Sequence, residues 1–259
     1  DLILTKGNPK LMQNLYQKIP SANMPDDLRH NIYQWDAVYE NGDFFKGGWA
    51  GQGLLINAER DTVAVWTGYK KDEVKKYVIS NNPGDFIFCE QKERLGTGHA
   101  VKQAAPYLPD AGKTLVLYAD VPLVSIKALK KLIASANRKK LSILTSQVSD
   151  PKWYGRIIRD ENHDPIAIRE EADATKQEKS IHEIFTGIMV AENEFLKKGL
   201  KGLLRNNNAG EYYLTDLVDF ASKRQLKIGS TLTREREIYG ANNKEELKSK
   251  LVAEYNDKF

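Results

Sequence analysis

An α/β fold, in which a parallel sheet carries helices on both faces and is preceded by a β-rich antiparallel segment, is predicted by three features of the chain. First, short apolar runs (Asp85 to Cys89, Leu115 to Asp120, Leu141 to Gln147) alternate with stretches of helical spacing (Lys71 to Asn81, Gly98 to Leu108, Ser125 to Arg138). Second, Leu115-Val116-Leu117-Tyr118-Ala119-Asp120 is apolar almost throughout and ends in a carboxylate, the pattern of a parallel strand buried on both faces. Third, residues 1 to about 66 hold three of the four tryptophans, many glycines and little helical periodicity after Tyr16.

Within that first segment, residues 42–57 and then 60–66 read as consecutive antiparallel strands joined by Asn-Gly and Glu-Arg-Asp turns, a meander rather than a βαβ unit. From about Thr67 the helices and strands named above follow one another. Gly155 to Arg159 and Pro165 to Arg169 then form a hairpin around Asp160-Glu161-Asn162. Ile181 to Val190 is a strand, and helices are expected at Glu194 to Arg205, Tyr213 to Lys223 and Lys244 to Tyr255. No internal repeat or low-complexity tract interrupts the order.

Composition excludes several function classes. The 39 basic and 35 acidic residues leave a charge of +4, with the lysines spread along helices, which argues against a nucleic-acid partner. No run approaches the roughly 18 apolar residues of a membrane span, and no charged-then-apolar leader is present, so a cytoplasmic location is expected. The single cysteine, Cys89, rules out an internal disulfide and a cysteine-based metal cluster.

Asp120 stands at the carboxyl end of its strand, where α/β sheets bind ligands, and a carboxylate there can hold a divalent cation against phosphate oxygens; capping the following turn is the structural alternative. Gly96-Thr97-Gly98 sits between a strand and a helix, so the backbone can approach a ligand closely, although such a turn also arises for packing alone. The pair Glu170-Glu171 can turn only one carboxylate toward a site, since neighbours on a strand face opposite ways. Ala111-Gly112-Lys113-Thr114 lacks the first glycine of a phosphate loop and precedes a strand, so it reads as a turn. The four histidines are not paired at metal spacing, and His99 reads as a packing or supporting residue.

In order along the chain, Gln91…Leu95-Gly96-Thr97-Gly98, Leu117-Tyr118-Ala119-Asp120-Val121-Pro122, Tyr154-Gly155-Arg156-Ile157, Glu170…Asp173-Ala174-Thr175, Thr186-Gly187, Asn206 to Asp216 and Gly240-Ala241-Asn242-Asn243 resemble the uridyltransferase domain of bacterial bifunctional N-acetylglucosamine-1-phosphate uridyltransferases. The resemblance runs from about Gly68 to the last helix. It implies a Rossmann-like nucleotidyltransferase sheet and the joining of UTP to N-acetylglucosamine 1-phosphate, with Mg²⁺, to give UDP-N-acetylglucosamine for cell-wall peptidoglycan. It also implies that Gln91, Gly96 and Thr97 contact the uracil and that Tyr118 lines the nucleotide-sugar site. Gly155, Glu170 and Thr215 would hold the sugar, and Asp120 and Asn242 the metal. No protein nucleophile is needed, because such chemistry depends on positioning and charge neutralisation.

The chain departs from the family in three places. Phe185 stands where the family has an asparagine touching the sugar nucleotide, and the stretch Asn208-Ala209-Gly210-Glu211 is one residue short. The Gly-rich loop Leu-Ala-Ala-Gly-x-Gly-Thr, which brings the cations that neutralise the triphosphate, has no counterpart; Leu2 to Lys10 is only a faint echo. Reduced activity is therefore expected, and the sheet is expected to lack a strand beside the Asp120 strand. The hexapeptide repeats of the family's acetyltransferase domain, which forms trimers, are not found in the sequence, which leaves the oligomer undetermined.

Residues 1 to about 66, above all Phe45 to Gly53 and Thr62 to Trp66, resemble the carboxyl-terminal strands of serine β-lactamase-like hydrolases and esterases, which gives a division into residues 1–66 and 67–259. A hydrolase would need Ser-x-x-Lys opening a helix, and the only match, Ser149-Asp150-Pro151-Lys152, precedes no helical pattern. Two rival readings stand beside the transferase: a non-catalytic nucleotide-sugar-binding relic and, more remotely, a serine hydrolase.

Overall fold

The computed structural model describes residues 86–118, 121 and 123–239, the backbone of the strands between residues 28 and 67, and helical positions 72, 75, 76, 79 and 80. Strands β1 (Leu28–Arg29), β2 (Ala37–Tyr39) and β3 (Phe44–Phe45) make a small antiparallel sheet. Strands β4 (Gly53–Asn57), β5 (Thr62–Thr67), β6 (Phe86–Glu90), β7 (Lys113–Tyr118), β8 (Leu141–Gln147), β9 (Arg156–Arg159), β10 (Pro165–Arg169), β11 (Glu183–Glu192) and β12 (Ile228–Thr233) share one nine-stranded sheet.

β4 and β5 form the expected hairpin, with Gly53 opposite Trp66 and Asn57 opposite Thr62. β5 then pairs in parallel with β6, and the positions described between them are helical, so the alternation of helices and strands expected from about Thr67 opens with a βαβ unit. β4 and β5, which lie within the first 67 residues, still belong to the main sheet.

The expectation of a wholly parallel sheet is corrected at its centre. β7 lies between β4 and β11 and runs antiparallel to both. β11 follows the β9–β10 hairpin after only a four-residue helix, Lys176–Lys179, and pairs antiparallel with β7, β8 and β9. β12, which the sequence reading did not include, runs parallel to β8 over six paired residues. The expectation that the strand leading to Asp120 lacks a neighbour is also corrected, since β4 pairs with β7 along its whole length.

Helices α1 (Thr97–Ala104), α2 (Ile126–Ser135), α3 (Lys176–Lys179), α4 (Asn193–Gly202) and α5 (Asp216–Ser222) follow in order. Pro106 ends α1 earlier than its apolar spacing suggests by forcing a 3₁₀ turn over Ala105–Tyr107. Ser125 caps α2 by accepting from the Ala128 amide at 3.2 Å, and Thr175 with Glu178 forms a capping box that nucleates the short α3.

Both faces of β7 are buried. Val116 joins the core made with α1, α4 and α5, while Leu115 and Leu117 join the core made with α2. Burying each such side chain is worth about 1.5–3 kcal/mol, which fixes the register of the strand and thereby the place where Tyr118 ends. No helix among the described residues is long and apolar enough to cross a membrane.

Candidate functional site

The turn after β6 is built on glycine. Gly96 has φ +101°, and a Cβ there would stand 2.7 Å from the Tyr212 carbonyl oxygen; one on Gly98 would stand 2.5 Å from Leu203 Cδ1. The absence of side chains lets the turn dock on segment 212–214. There the Gly98 amide donates to the Tyr212 oxygen at 2.7 Å, the Tyr212 amide to the Leu95 oxygen at 2.8 Å, and the Leu214 amide to Thr97 Oγ1 at 3.0 Å. Gln91 closes the turn from the other side, its Nε2 donating to the Gly96 oxygen at 3.0 Å.

Segment 212–214 leads directly to Thr215, which is 2% exposed and donates its hydroxyl to Glu170 Oε1 at 2.8 Å. Gly155 lies across from Glu170, because the β9–β10 register pairs Arg156 with Arg169. A Cβ on Gly155 would come within 3.4 Å of Glu170 Oε2. The Gly155 oxygen accepts from the Phe185 amide at 2.8 Å, and two residues on, Gly187 lies under the Tyr118 ring. Gln91, Gly96, Thr97, Thr215, Glu170, Gly155 and Tyr118 thus form one connected arc along the carboxyl ends of β6 and β7 and the adjoining hairpin. Asp120 and Asn242 lie outside the described residues, and among the described residues no group of three or more His, Cys, Asp or Glu side chains gathers as a metal site.

Glu170 and Glu171 meet different partners, but not through strand alternation, since β10 ends at Arg169 and Glu171 lies in the turn that follows. Glu170 faces Thr215, and burial raises its carboxyl above the ordinary range despite that hydrogen bond. Glu171 faces the other way and accepts from Arg156 Nη2 at 2.6 Å, which lowers its carboxyl. Phe185 is 6% exposed and part of the main core, so it contributes packing where the resemblance implies a polar contact. The shortened loop is anchored, since Asn208 donates its amide to Asp173 Oδ1 at 2.9 Å and its Nδ2 to the Ala172 oxygen at 2.8 Å. Ser149 donates to Glu235 Oε1 at 2.8 Å in a loop, with no helix opening at it, so the Ser-x-x-Lys match carries no nucleophile.

Behind Glu170, between β10 and α5, lies a cavity of about 350 Å³ lined in part by Asp173, Tyr213, Asp216 and Asp219. Burial, followed by Asp219 and Glu170, pushes the Asp216 carboxyl up to about 6. Burial also raises Asp219 and the Tyr213 hydroxyl. Since the folded-state value of Asp216 lies above the unfolded one, its bound proton stabilises the fold fully below about pH 4, and that contribution is lost as pH rises through about 6. Asp216→Asn is expected to raise stability by about 1 kcal/mol at pH 7–8, after discounting for solvent screening and for the negative charge lost at the start of α5. Denaturant titrations of both proteins should show this gain vanish below about pH 4.

Arg156 and Asp216 did not stand out as site residues in the sequence, because their surroundings depend on burial, which no local pattern displays.

Comparison with known proteins agrees with this architecture. The nucleotidyl transferase family model matches residues 52–236. Bifunctional protein GlmU of Idiomarina loihiensis is 37% identical over 190 residues, 73% of this chain and 41% of that protein. The protein of the same name from Nitrosomonas eutropha is 45% identical over 177 residues, 68% of this chain and 38% of that one. The chain therefore spans about two fifths of the length of these relatives. Among solved structures, a UDP-glucose pyrophosphorylase complexed with UDP-glucose superposes with a TM-score of 0.56 at 15% identity, covering 76% of this chain and 81% of that one. The inositol-1-phosphate CTP transferase of T. maritima gives 0.55 at 14%, covering 73% of each. A mixed sheet of this order, a glycine turn at its carboxyl edge and a family match that begins at β4 and runs past β12 lead to one statement: the chain belongs to the nucleotidyl transferase family.

Proposed function

We propose that the chain is an N-acetylglucosamine-1-phosphate uridyltransferase unit, forming UDP-N-acetylglucosamine and pyrophosphate from UTP and N-acetylglucosamine 1-phosphate. The observation that carries this reading is the connected arc from Gln91 to Tyr118, which joins in space the motifs that the resemblance assigns to base and sugar. The GlmU relatives support it from the sequence side. In this reading Gln91, Gly96 and Thr97 hold the uracil, Tyr118 borders the nucleotide sugar, and Gly155, Glu170 and Thr215 bind the sugar hydroxyls. A sugar-phosphate oxygen forms a bond to the α-phosphorus as the bond to the β-phosphate bridging oxygen breaks and pyrophosphate leaves.

Asp120 and Asn242 would hold Mg²⁺, which when bound supplies neutralisation of phosphate charge. The chain's own contribution is orientation: glycine turns that admit the base closely and a buried carboxylate held by Thr215 for the sugar. The division at 66/67 we regard as one of sequence origin, since β4 and β5 precede it and pair within the sheet.

The missing Gly-rich loop and the buried Phe185 favour a second reading, a nucleotide-sugar-binding unit without turnover. Pyrophosphate release with UTP, N-acetylglucosamine 1-phosphate and Mg²⁺ separates the two. Release by the wild type, reduced about 10²-fold or more in Asp120→Ala, supports the transferase. Binding of UDP-N-acetylglucosamine with no release overturns it in favour of the second reading.

A further inference from the structure

His99 lies one helical turn into α1, and both of its ring nitrogens face glutamine amides. Nδ1 is 3.2 Å from Gln91 Nε2, and Nε2 is 3.1 Å from Gln103 Nε2. Each amide is oriented by a carbonyl oxygen, which can only accept: Gln91 Nε2 donates to the Gly96 oxygen at 3.0 Å and Gln103 Nε2 to the His99 oxygen at 3.0 Å. Both glutamines therefore offer an N–H to the imidazole. A neutral imidazole has a single lone pair, so it can accept from only one of them.

When Nδ1 accepts, both hydrogens of the Gln91 amide are engaged, and Oε1 is left to face outward as an acceptor. Among the described residues nothing donates to Oε1. An acceptor there matches the pairing edge of uracil, which carries N3–H. It mismatches cytosine, whose N3 is a lone pair beside an amino group. To read cytosine, Gln91 would have to turn its amide over, placing Oε1 against the Gly96 oxygen and requiring Nδ1–H.

We propose that His99 is a positioning residue that, together with the Gly96 carbonyl, fixes the Gln91 amide so that the site selects a pyrimidine with N–H at its pairing edge over one with a lone pair there. The inference rests on the reading of Gln91 as a base contact. Gln103 is the built-in competitor: it draws the lone pair to Nε2, and a bound uracil returns it to Nδ1. The His99 ring is held in place for this by stacking on Tyr212, with centroids 6.0 Å apart and planes at 24°.

The test measures UTP and CTP binding to the whole chain by calorimetric titration, alongside ¹⁵N spectra of histidine-labelled protein. His99→Phe keeps the ring and its stack but removes the lone pair, and the preference for UTP over CTP should fall about 3- to 10-fold, the worth of one neutral hydrogen bond. His99→Asn, whose side-chain oxygen can accept in place of Nδ1, should restore most of the preference. Gln103→Leu removes the competitor and should tighten UTP binding by up to about twofold, the gain from releasing an evenly divided population. In the UTP complex, Nδ1 should be the unprotonated nitrogen.

UTP binding with an unchanged UTP/CTP ratio in His99→Phe, or with Nδ1 protonated in the complex, overturns the inference and leaves the transferase reading intact. Absence of UTP binding by the wild type overturns the reading of the site and this inference with it. If His99→Phe unfolds, the His99→Asn and Gln103→Leu ratios and the wild-type spectrum decide the question.

Discussion

Arg156→Ala is expected to destabilise the fold by about 3–5 kcal/mol, whereas Arg156→Met should stay within about 1 kcal/mol of the wild type. Arg156 is 2% exposed and is the largest of the fully buried side chains. Its Nη2 meets Glu171 at 2.6 Å, Nη1 donates to the Tyr154 oxygen, and Nε has no partner among the described residues. Desolvation of the guanidinium is thus only partly offset, and much of what the side chain contributes is volume. Alanine leaves a void, while methionine fills the space without a charge to desolvate; in both variants Glu171 keeps Lys179 Nζ at 3.4 Å and the Trp153 amide, so the difference between them is the volume.

Stability and binding should part company in Arg156→Met. Glu171 also accepts from the Trp153 amide at 3.3 Å, and Trp153 holds an unusual φ of +74° directly before Tyr154-Gly155. Without the guanidinium this corner is released, and the Gly155–Glu170 pairing next to it loses its support. Arg156→Met is therefore expected to keep its denaturation midpoint while its affinity for UDP-N-acetylglucosamine falls about tenfold. Equal affinity in both proteins would show that the pair only packs the hairpin.

Local chemistry that the chain displays openly was legible in advance. The β9–β10 hairpin, the buried β7 and the glycine turn at Gly96 and Gly98 each depend on neighbours in sequence, and each is found within a few residues of its expected bounds. Strand direction was not legible. The apolar run of β7 buries both faces equally well between parallel or antiparallel neighbours, so Leu115, Val116 and Leu117 carry no record of β4 and β11 running against them. β12 was missed because Ile228-Gly229-Ser230-Thr231 is half polar and earns its place by six backbone pairings to β8. Motifs far apart in the chain meet in the fold, as the Thr215–Glu170 and Thr97–Leu214 bonds illustrate, and neither contact is visible in local periodicity. His99, Gln103 and Asp216 depend on which partner faces them across the fold, and that is decided only after packing.

Gly187→Ala should cost about 2–4 kcal/mol and weaken nucleotide-sugar binding more than any substitution of equal size on the outer strands. Pairing of β11 with β8 slips between Phe185 and Met189: the three residues Thr186, Gly187 and Ile188 on β11 stand opposite one, Leu144, on β8. The extra length forms a bulge in which Gly187 takes φ +81°. An L-residue there is strained by about 1–2 kcal/mol, and its Cβ would stand 2.5 Å from Tyr118 Cδ2, too close for the ring to stay. Tyr118 ends β7 immediately before the stretch that reaches Asp120, so a displaced ring shifts the floor of the proposed nucleotide-sugar site as well as the core. Tyr118→Ala in the Gly187→Ala background separates these effects: it should recover the part of the stability lost to the clash while leaving the φ strain. Binding should stay weak in that double variant, because the ring that borders the nucleotide sugar is gone. Stability unrecovered in the double variant would mean that backbone strain alone accounts for the loss and that the bulge, not the Tyr118 ring, requires glycine at 187.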